Sequence, residues 1–210
     1  MWCITKVFFI FMKYTDDINI FKLNKDFTAE IDITGTFGHI YHYPQRMNGC
    51  LFILCLRGEC DITIHLSEHK IQKNDIVTIL PETFVHVHRQ SPDCRLYLAG
   101  FNKELLNGIN FFNSTKNYLS ALIDTPVTPL RPETSELFQD YFMLLIKMKH
   151  IEAKPNKDLL SSMLLTILHG VGNIHQNTNV TTRAFNRGEE IVKRLVQYII
   201  KHYTCLLYTS

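Results

Sequence analysis

The stretch NDIVTILPETFVHVH, residues 74–88, decides how the chain is read. It contains two short runs rich in β-branched residues, DIVTILP (75–81) and the start of FVHVHRQ (84–90), parted by a Pro81-Glu82-Thr83 turn. Upstream, CLFILCL (50–56) is a continuous apolar strand, RGE (57–59) supplies a turn, and CDITIHL (60–66) returns with polar residues alternating. SEHKIQKND (67–75) is expected to turn the chain, and downstream RLYLAGF (95–101) follows after the SPD turn. From Phe27 to Phe101 no helical period interrupts this pattern, which is that of an all-β sandwich or barrel.

After Phe101 the character changes. In TPVTPLRPETSELFQDYFMLLIKMKH (125–150), Pro132 opens a helix, Glu133 and Glu136 sit in its first turn, and Lys147, Lys149 and His150 close it. Leu137, Tyr141, Leu144, Leu145 and Met148 are expected to form its apolar face, widened by Phe138, Phe142 and Ile146. EAKPNK (152–157) breaks the helix, and a second one carries Leu160, Met163, Leu164, Ile167, Leu168 and Val171 on one face. So short a break predicts an antiparallel helical hairpin. QNTNVTTRAFNRG (176–188) is a polar, turn-rich linker, and EEIVKRLVQYIIKHYT (189–204) is an amphipathic helix with a basic side.

Composition bounds the function. The chain has 210 residues, 46% of them hydrophobic, and a formal net charge of +2, too mild by itself to announce a nucleic-acid binder. None of Cys3, Cys50, Cys55, Cys60, Cys94 and Cys205 stands at zinc-knuckle or C-x-x-C spacing, so they read as reduced thiols of a cytoplasmic protein. Cys50 and Cys55 lie an odd number of positions apart, which sends them to opposite strand faces. The apolar run Val7–Met12 is too short for a signal sequence or a membrane span, and Met12 reads as the true start, with 1–11 an over-extended frame. The last six residues, CLLYTS (205–210), translate a transposon-end adapter and are expected to be adapter-derived, the natural gene continuing past Thr204.

NDIVTILPETFVHVH resembles the second motif of the cupin β-barrels, Gly-Asp, a short strand, then Pro-x-Gly-x-x-His, with Asn74, Asp75, Pro81, Thr83 and His86 at those positions. Asn74 tolerates the left-handed turn that glycine would supply, whereas Thr83 tolerates it less well and predicts an adjusted loop. In metal-bearing cupins that last histidine joins ligands from a first motif. Here Gln45, Met47 and Leu51 stand in their place, so no metal and no cofactor is expected. His39 and His42 have opposite strand parity, and His65 and His69 flank a hairpin turn and should be exposed. No glycine-rich phosphate loop or Ser-His-Asp order stands out, and the chain is not read as an enzyme.

YPQRMNGCLFILCLRGE (43–59), the 74–88 stretch and RGEEIVKRLVQYIIKHYT (187–204) together look like the arabinose-operon-regulator (AraC/XylS) family of bacterial transcription factors. That resemblance implies an α+β fold: an N-terminal arm (1–26), a cupin-like jelly-roll barrel that binds an effector (27–106), a helical dimerisation hairpin (107–176), a linker (177–187), and the first helix of a truncated helix-turn-helix domain (188–204). The effector would be a small molecule such as a sugar or related metabolite. Matching strand by strand places Tyr43, His86, His88 and Phe101 at inward or mouth positions, and Leu160, Leu164 and Ile167 are assigned to homodimer contact. DNA would be bound only through a further domain, because the base-reading helix would come after Thr204. A stand-alone cytoplasmic cupin module that binds a small molecule, or a metal-dependent cupin enzyme, remains the alternative.

Overall fold

The computed structural model describes residues 26–109, 115, 119–151 and 155–177. Apart from Asp26 and Asn177, the expected arm, linker, terminal helix and adapter tail lie outside the described residues. The core is two antiparallel sheets, consistent with the α+β expectation. One has five strands in the order β1 (Phe27–Asp32), β8 (Arg95–Asn102), β3 (Gly49–Arg57), β6 (Asp75–Ile79) and β9 (Val127–Pro129). The other has four, in the order β2 (Gln45–Arg46), β7 (Phe84–Gln90), β4 (Glu59–Ile64) and β5 (Ser67–Gln72).

Strand parity divides the apolar residues between two layers. Leu51, Ile53, Val77, Ile79, Leu96 and Leu98 point from the first sheet toward Ile62, Ile64, Ile71, Val85 and Val87 of the second, and all are buried. The alternate residues Phe52, Leu54, Ile76, Ala99 and Phe101 point the other way, into a second buried layer roofed by helices. This is why CLFILCL reads as an unbroken apolar run: β3 is covered on both faces. Cys50 and Cys55 fall into the helix layer and the sandwich interior respectively, as their spacing predicts. Gly49 is required where β3 meets β8, since a Cβ there would lie 2.3 Å from the Phe101 carbonyl oxygen.

Five helices accompany the sheets among the described residues: α1 (Thr36–Ile40), α2 (Lys103–Gly108), α3 (Leu119–Asp124), α4 (Pro132–Ile151) and α5 (Lys157–Asn177). The Asn102 side chain caps α2 by accepting from the Leu105 N–H. Tyr141 of α4 donates to the Met163 carbonyl at 2.9 Å, while Gly170 of α5 makes room for the Phe138 ring, whose Cζ would lie 3.1 Å from an added Cβ. Later residues of α5 thus meet earlier residues of α4, and the two helices run antiparallel.

Three local expectations change. SEHKIQ is a strand, β5, and not part of a turn: only Ile71 points inward, so its polar edge position disguised it. The 81–83 loop, by contrast, is adjusted as Thr83 predicts, its left-handed residue being Glu82 (φ 67°) and not Thr83, and Asn74 (φ 69°) adopts that conformation as expected. His65 is half-buried, its ring 3.3 Å from the Thr83 hydroxyl. Leu137 and Leu144 do not share the buried face of α4, which is Phe138, Phe142, Leu145, Ile146 and Met148.

The assignment of Leu160, Leu164 and Ile167 to a dimer contact is corrected by their packing. They are at most 1% exposed, in one cluster with Phe52, Phe101 and Phe142. The face of α5 that carries them is covered by the chain's own sheet and helices, leaving nothing for a second copy to touch. Strand β9, inside the 107–176 segment, pairs with β6 and so belongs to the five-stranded sheet.

Candidate functional site

The site grows from the short segment between β1 and β3. Asp32, buried at the end of β1, accepts from the N–H groups of Thr34 (3.2 Å) and Thr36 (3.0 Å) through Oδ1 and of Phe37 (2.9 Å) through Oδ2. Gln90 of β7 takes the Gly38 N–H on its Oε1 at 3.1 Å. These bonds hold α1 against β7, and α1 in turn places Phe37 and Tyr41 inside the sandwich, their rings 5.0 Å apart. Tyr41 donates weakly to Met47 Sδ at 3.7 Å, and burial pushes its phenol pKa up.

We expect Asp32→Asn to lower stability by about 2 kcal/mol, because an amide in place of a carboxylate oxygen turns a donor toward backbone N–H groups that point at it. Urea unfolding checks this, and a change below about 0.5 kcal/mol would contradict the account.

Immediately after α1, His42 and Tyr43 lie over strand β7. The His86 ring lies beside the His42 backbone, the His86 and His88 rings stand 4.1 Å apart, and His88 Nε2 is 2.6 Å from the Thr63 hydroxyl of β4. Burial pushes the His86 pKa below the ordinary histidine value and the neighbouring His88 pushes it further, against a smaller upward push from the His42 backbone. Tyr43 is 67% exposed, its ring 5.1 Å from that of His42.

Three of the four nominated residues, Tyr43, His86 and His88, therefore lie in one region, but it is the outer surface of the four-stranded sheet and not the interior or mouth. Val85 and Val87 take the inward positions of β7, so His86 and His88 must point out. The positive φ at Glu82, one residue before the matched motif position, accompanies this turned-over parity. Phe101 departs altogether: it is fully buried on the helix side of β8, stacked with Phe27 at 6.3 Å and edge-on to Phe52 at 6.2 Å.

Around the imidazoles lie charged side chains and one exposed aromatic, Phe84, on the same face of β7. Arg89 bridges Glu59 (2.5 Å) and Asp61 (2.8 Å), and Lys70 reaches Glu59 at 2.6 Å. At the other end Glu82 pairs with Arg46 and with Lys103. These are exposed ion pairs of small energetic value, but they frame the two imidazoles. The surface can stack on a ligand through Tyr43 and exchange hydrogen bonds through two imidazoles and a hydroxyl.

The interior holds thiols instead. Cys50, Cys55, Cys60 and Cys94 are free and buried. Burial pushes Cys50 up and Cys60 up to about 12, and Cys55 is raised through its hydrogen bond to Cys94 and by burial. Cys50, Cys55 and Cys60, held protonated in this way, are poor nucleophiles, whereas the hydrogen bond from Cys55 pushes Cys94 below the ordinary thiol value. Tyr41 was missed as an interior residue because it closes a five-residue helix that leaves no periodic signal, and Met47 because it lies in the short link between β2 and β3. Among the described residues no group of three or more His, Cys, Asp or Glu could hold a metal ion, and no helix is long and apolar enough to cross a membrane.

No family model matches the chain, and no curated protein matches it significantly. Among solved structures it is similar to ToxT from Vibrio cholerae O395 bound to (E)-4-(8-methylnaphthalen-1-yl)but-3-enoic acid, with a TM-score of 0.39 and 8% identity over 75% of this chain and 60% of that one. It is similar to the AraC-like transcriptional activator CuxR, with a TM-score of 0.44 and 11% identity over 85% of this chain and 58% of that one. The cupin domain of Schizosaccharomyces pombe Cnp3 matches with a TM-score of 0.28 and 12% identity over 44% of this chain and 67% of that one. The chain thus spans 60% of the ToxT chain and 58% of the CuxR chain. At these identities and TM-scores the likenesses assign no family.

Proposed function

We propose that the chain is the effector-sensing and dimerising part of a cytoplasmic transcription regulator of the arabinose-operon-regulator type, not itself an enzyme. Its sandwich is a cupin-like jelly roll, and its DNA-reading helices belong to chain beyond Thr204. The observation that carries this is the layered build: a two-sheet sandwich roofed on one side by an antiparallel helix pair that leaves a line of large apolar residues facing out. Leu137, Leu144 and Ile151 of α4 are 68%, 53% and 81% exposed, and their seven-residue spacing keeps them on one side of the helix. Sensing and pairing would then reside in one folded unit.

The effector is a small molecule, a sugar or related metabolite, met by Tyr43, His86 and His88 on the outer surface of the four-stranded sheet. Phe101 is no longer among the proposed contacts. An aromatic face beside imidazole and hydroxyl groups suits a polyol, which offers C–H bonds to stack and hydroxyls to pair.

Genomic DNA past codon 204 tests the regulator assignment directly. Two further helix-turn-helix units are expected there, and the extended protein should shift operator DNA that the 210-residue chain does not shift at physiological salt. A stop codon directly after the CLLYTS codons in the genome, or a specific shift by the present chain, would overturn it.

A further inference from the structure

His175 stands in the last turn of α5 and is 9% exposed, and a threonine hydroxyl faces each of its two ring nitrogens. Its Nδ1 is 3.3 Å from the Thr125 hydroxyl and its Nε2 is 2.8 Å from the Thr128 hydroxyl. Thr125 follows α3, and Thr128 is the central residue of β9, the edge strand of the five-stranded sheet. One imidazole thus ties the end of the last described helix to the sheet edge.

Hydrogen-bond accounting determines its tautomer. The single hydroxyl proton of Thr125 goes to the Ala121 carbonyl at 2.8 Å, so Thr125 can only accept from His175. Nδ1 must therefore carry the proton, and Nε2 must accept from the Thr128 hydroxyl. A second proton on Nε2 would turn the Thr128 hydroxyl from donor to acceptor, leave that buried hydroxyl's own proton without its ring partner, and place a charge where water has little access.

We propose that His175 is a proton-operated clamp: neutral, it holds the final turn of α5 on β9, and protonated, it lets that turn go. The clamp thus governs how firmly the final turn of α5 is held on the sheet edge. It would operate whatever the chain binds.

The charged or titratable groups on neighbouring elements are Asp124 at the end of α3, Lys103 and Glu104 on α2, Asp75 at the start of β6, and Arg131 and Glu133 around the start of α4, with His169 on α5 itself. Burial is what moves His175, pushing its pKa below the ordinary histidine value of 6.5. The clamped form therefore binds the proton less well than a released, solvated histidine does. Clamping is fully favoured above 6.5 and weakens as the pH falls below it.

Hydrogen–deuterium exchange of the whole chain near pH 7 and near pH 5, corrected for intrinsic exchange rates, tests this. Protection in 169–177 and 125–130 should fall by about tenfold or more at the lower pH, while β3 stays protected. In His175→Gln, which keeps a donor and an acceptor but cannot titrate, that loss should vanish. Unchanged protection in the native chain, or an equal loss in the variant, overturns the clamp. Should the variant not fold, imidazole nitrogen shifts of the native chain decide: an Nδ1–H tautomer titrating below 6.5 supports it, and an Nε2–H tautomer or a midpoint above 6.5 refutes it.

Discussion

Leu164→Ala is expected to lower the unfolding free energy by about 3 to 4 kcal/mol, the range for a leucine whose removal leaves a cavity that its surroundings cannot close. Leu164 is fully buried, in one cluster with Phe52, Leu54 and Phe101 of the sheet and Phe142 and Leu145 of α4. Interiors of this density relax only partly around a lost side chain. Because the contact is within one chain, the loss should be the same at low and high protein concentration. Denaturant unfolding at two concentrations about a hundredfold apart measures it. A loss below about 1 kcal/mol, accompanied by weakened self-association, would return Leu164 to a dimer interface.

Leu144→Asp should act in the opposite sense, abolishing self-association while leaving the monomer intact. The exposed side of α4 carries Glu133, Glu136 and Asp140 toward its start and Lys147 and His150 toward its end, with Leu137, Leu144 and Ile151 between. An antiparallel second copy centred on Leu144 would set Leu137 against Ile151 and bring Asp140, which falls opposite position 148, beside Lys147, so the surface complements itself in apolar character and in charge. Two-fold symmetry doubles every substitution. Losing about 1.5 to 3 kcal/mol of leucine burial in each copy raises the dissociation constant by roughly a hundredfold or more. Leu144 is half exposed, so the stability of the separate chain should move by only about 0.5 kcal/mol. Sedimentation equilibrium of native and variant chains gives the answer. An unchanged dissociation constant, or a native chain that is monomeric at high concentration, would exclude α4 as the seam.

Much of the strand framework was open to reading from local chemistry. The unbroken apolar run of β3 announces burial on both faces, and Pro132 with its acidic first turn marks the start of α4. Asn74 takes the left-handed conformation for which its side chain suits it. β5 escaped notice because an edge strand with one solvated face needs a single inward apolar residue, Ile71, and the rest of SEHKIQ resembles a loop. Apolar residues cover more than half the circumference of α4. Whether Leu144 or Leu145 is buried then depends on where the sheet lies, which the helical period does not specify.

The candidate site shows the same division. Sequence alone put His86 and His88 on one strand face, because side chains two apart on a strand point the same way. Only the assembled sheets decided that this face is the outer one, since a one-residue shift in where the preceding loop reverses turns every side chain of β7 over. Likewise the stripe containing Leu160, Leu164 and Ile167 was evident as apolar from its spacing, and tertiary packing alone assigned it to the chain's own core. Periodicity determines which residues travel together, whereas the choice between core, ligand and partner is made by surfaces far away in the sequence, whose approach no local pattern encodes.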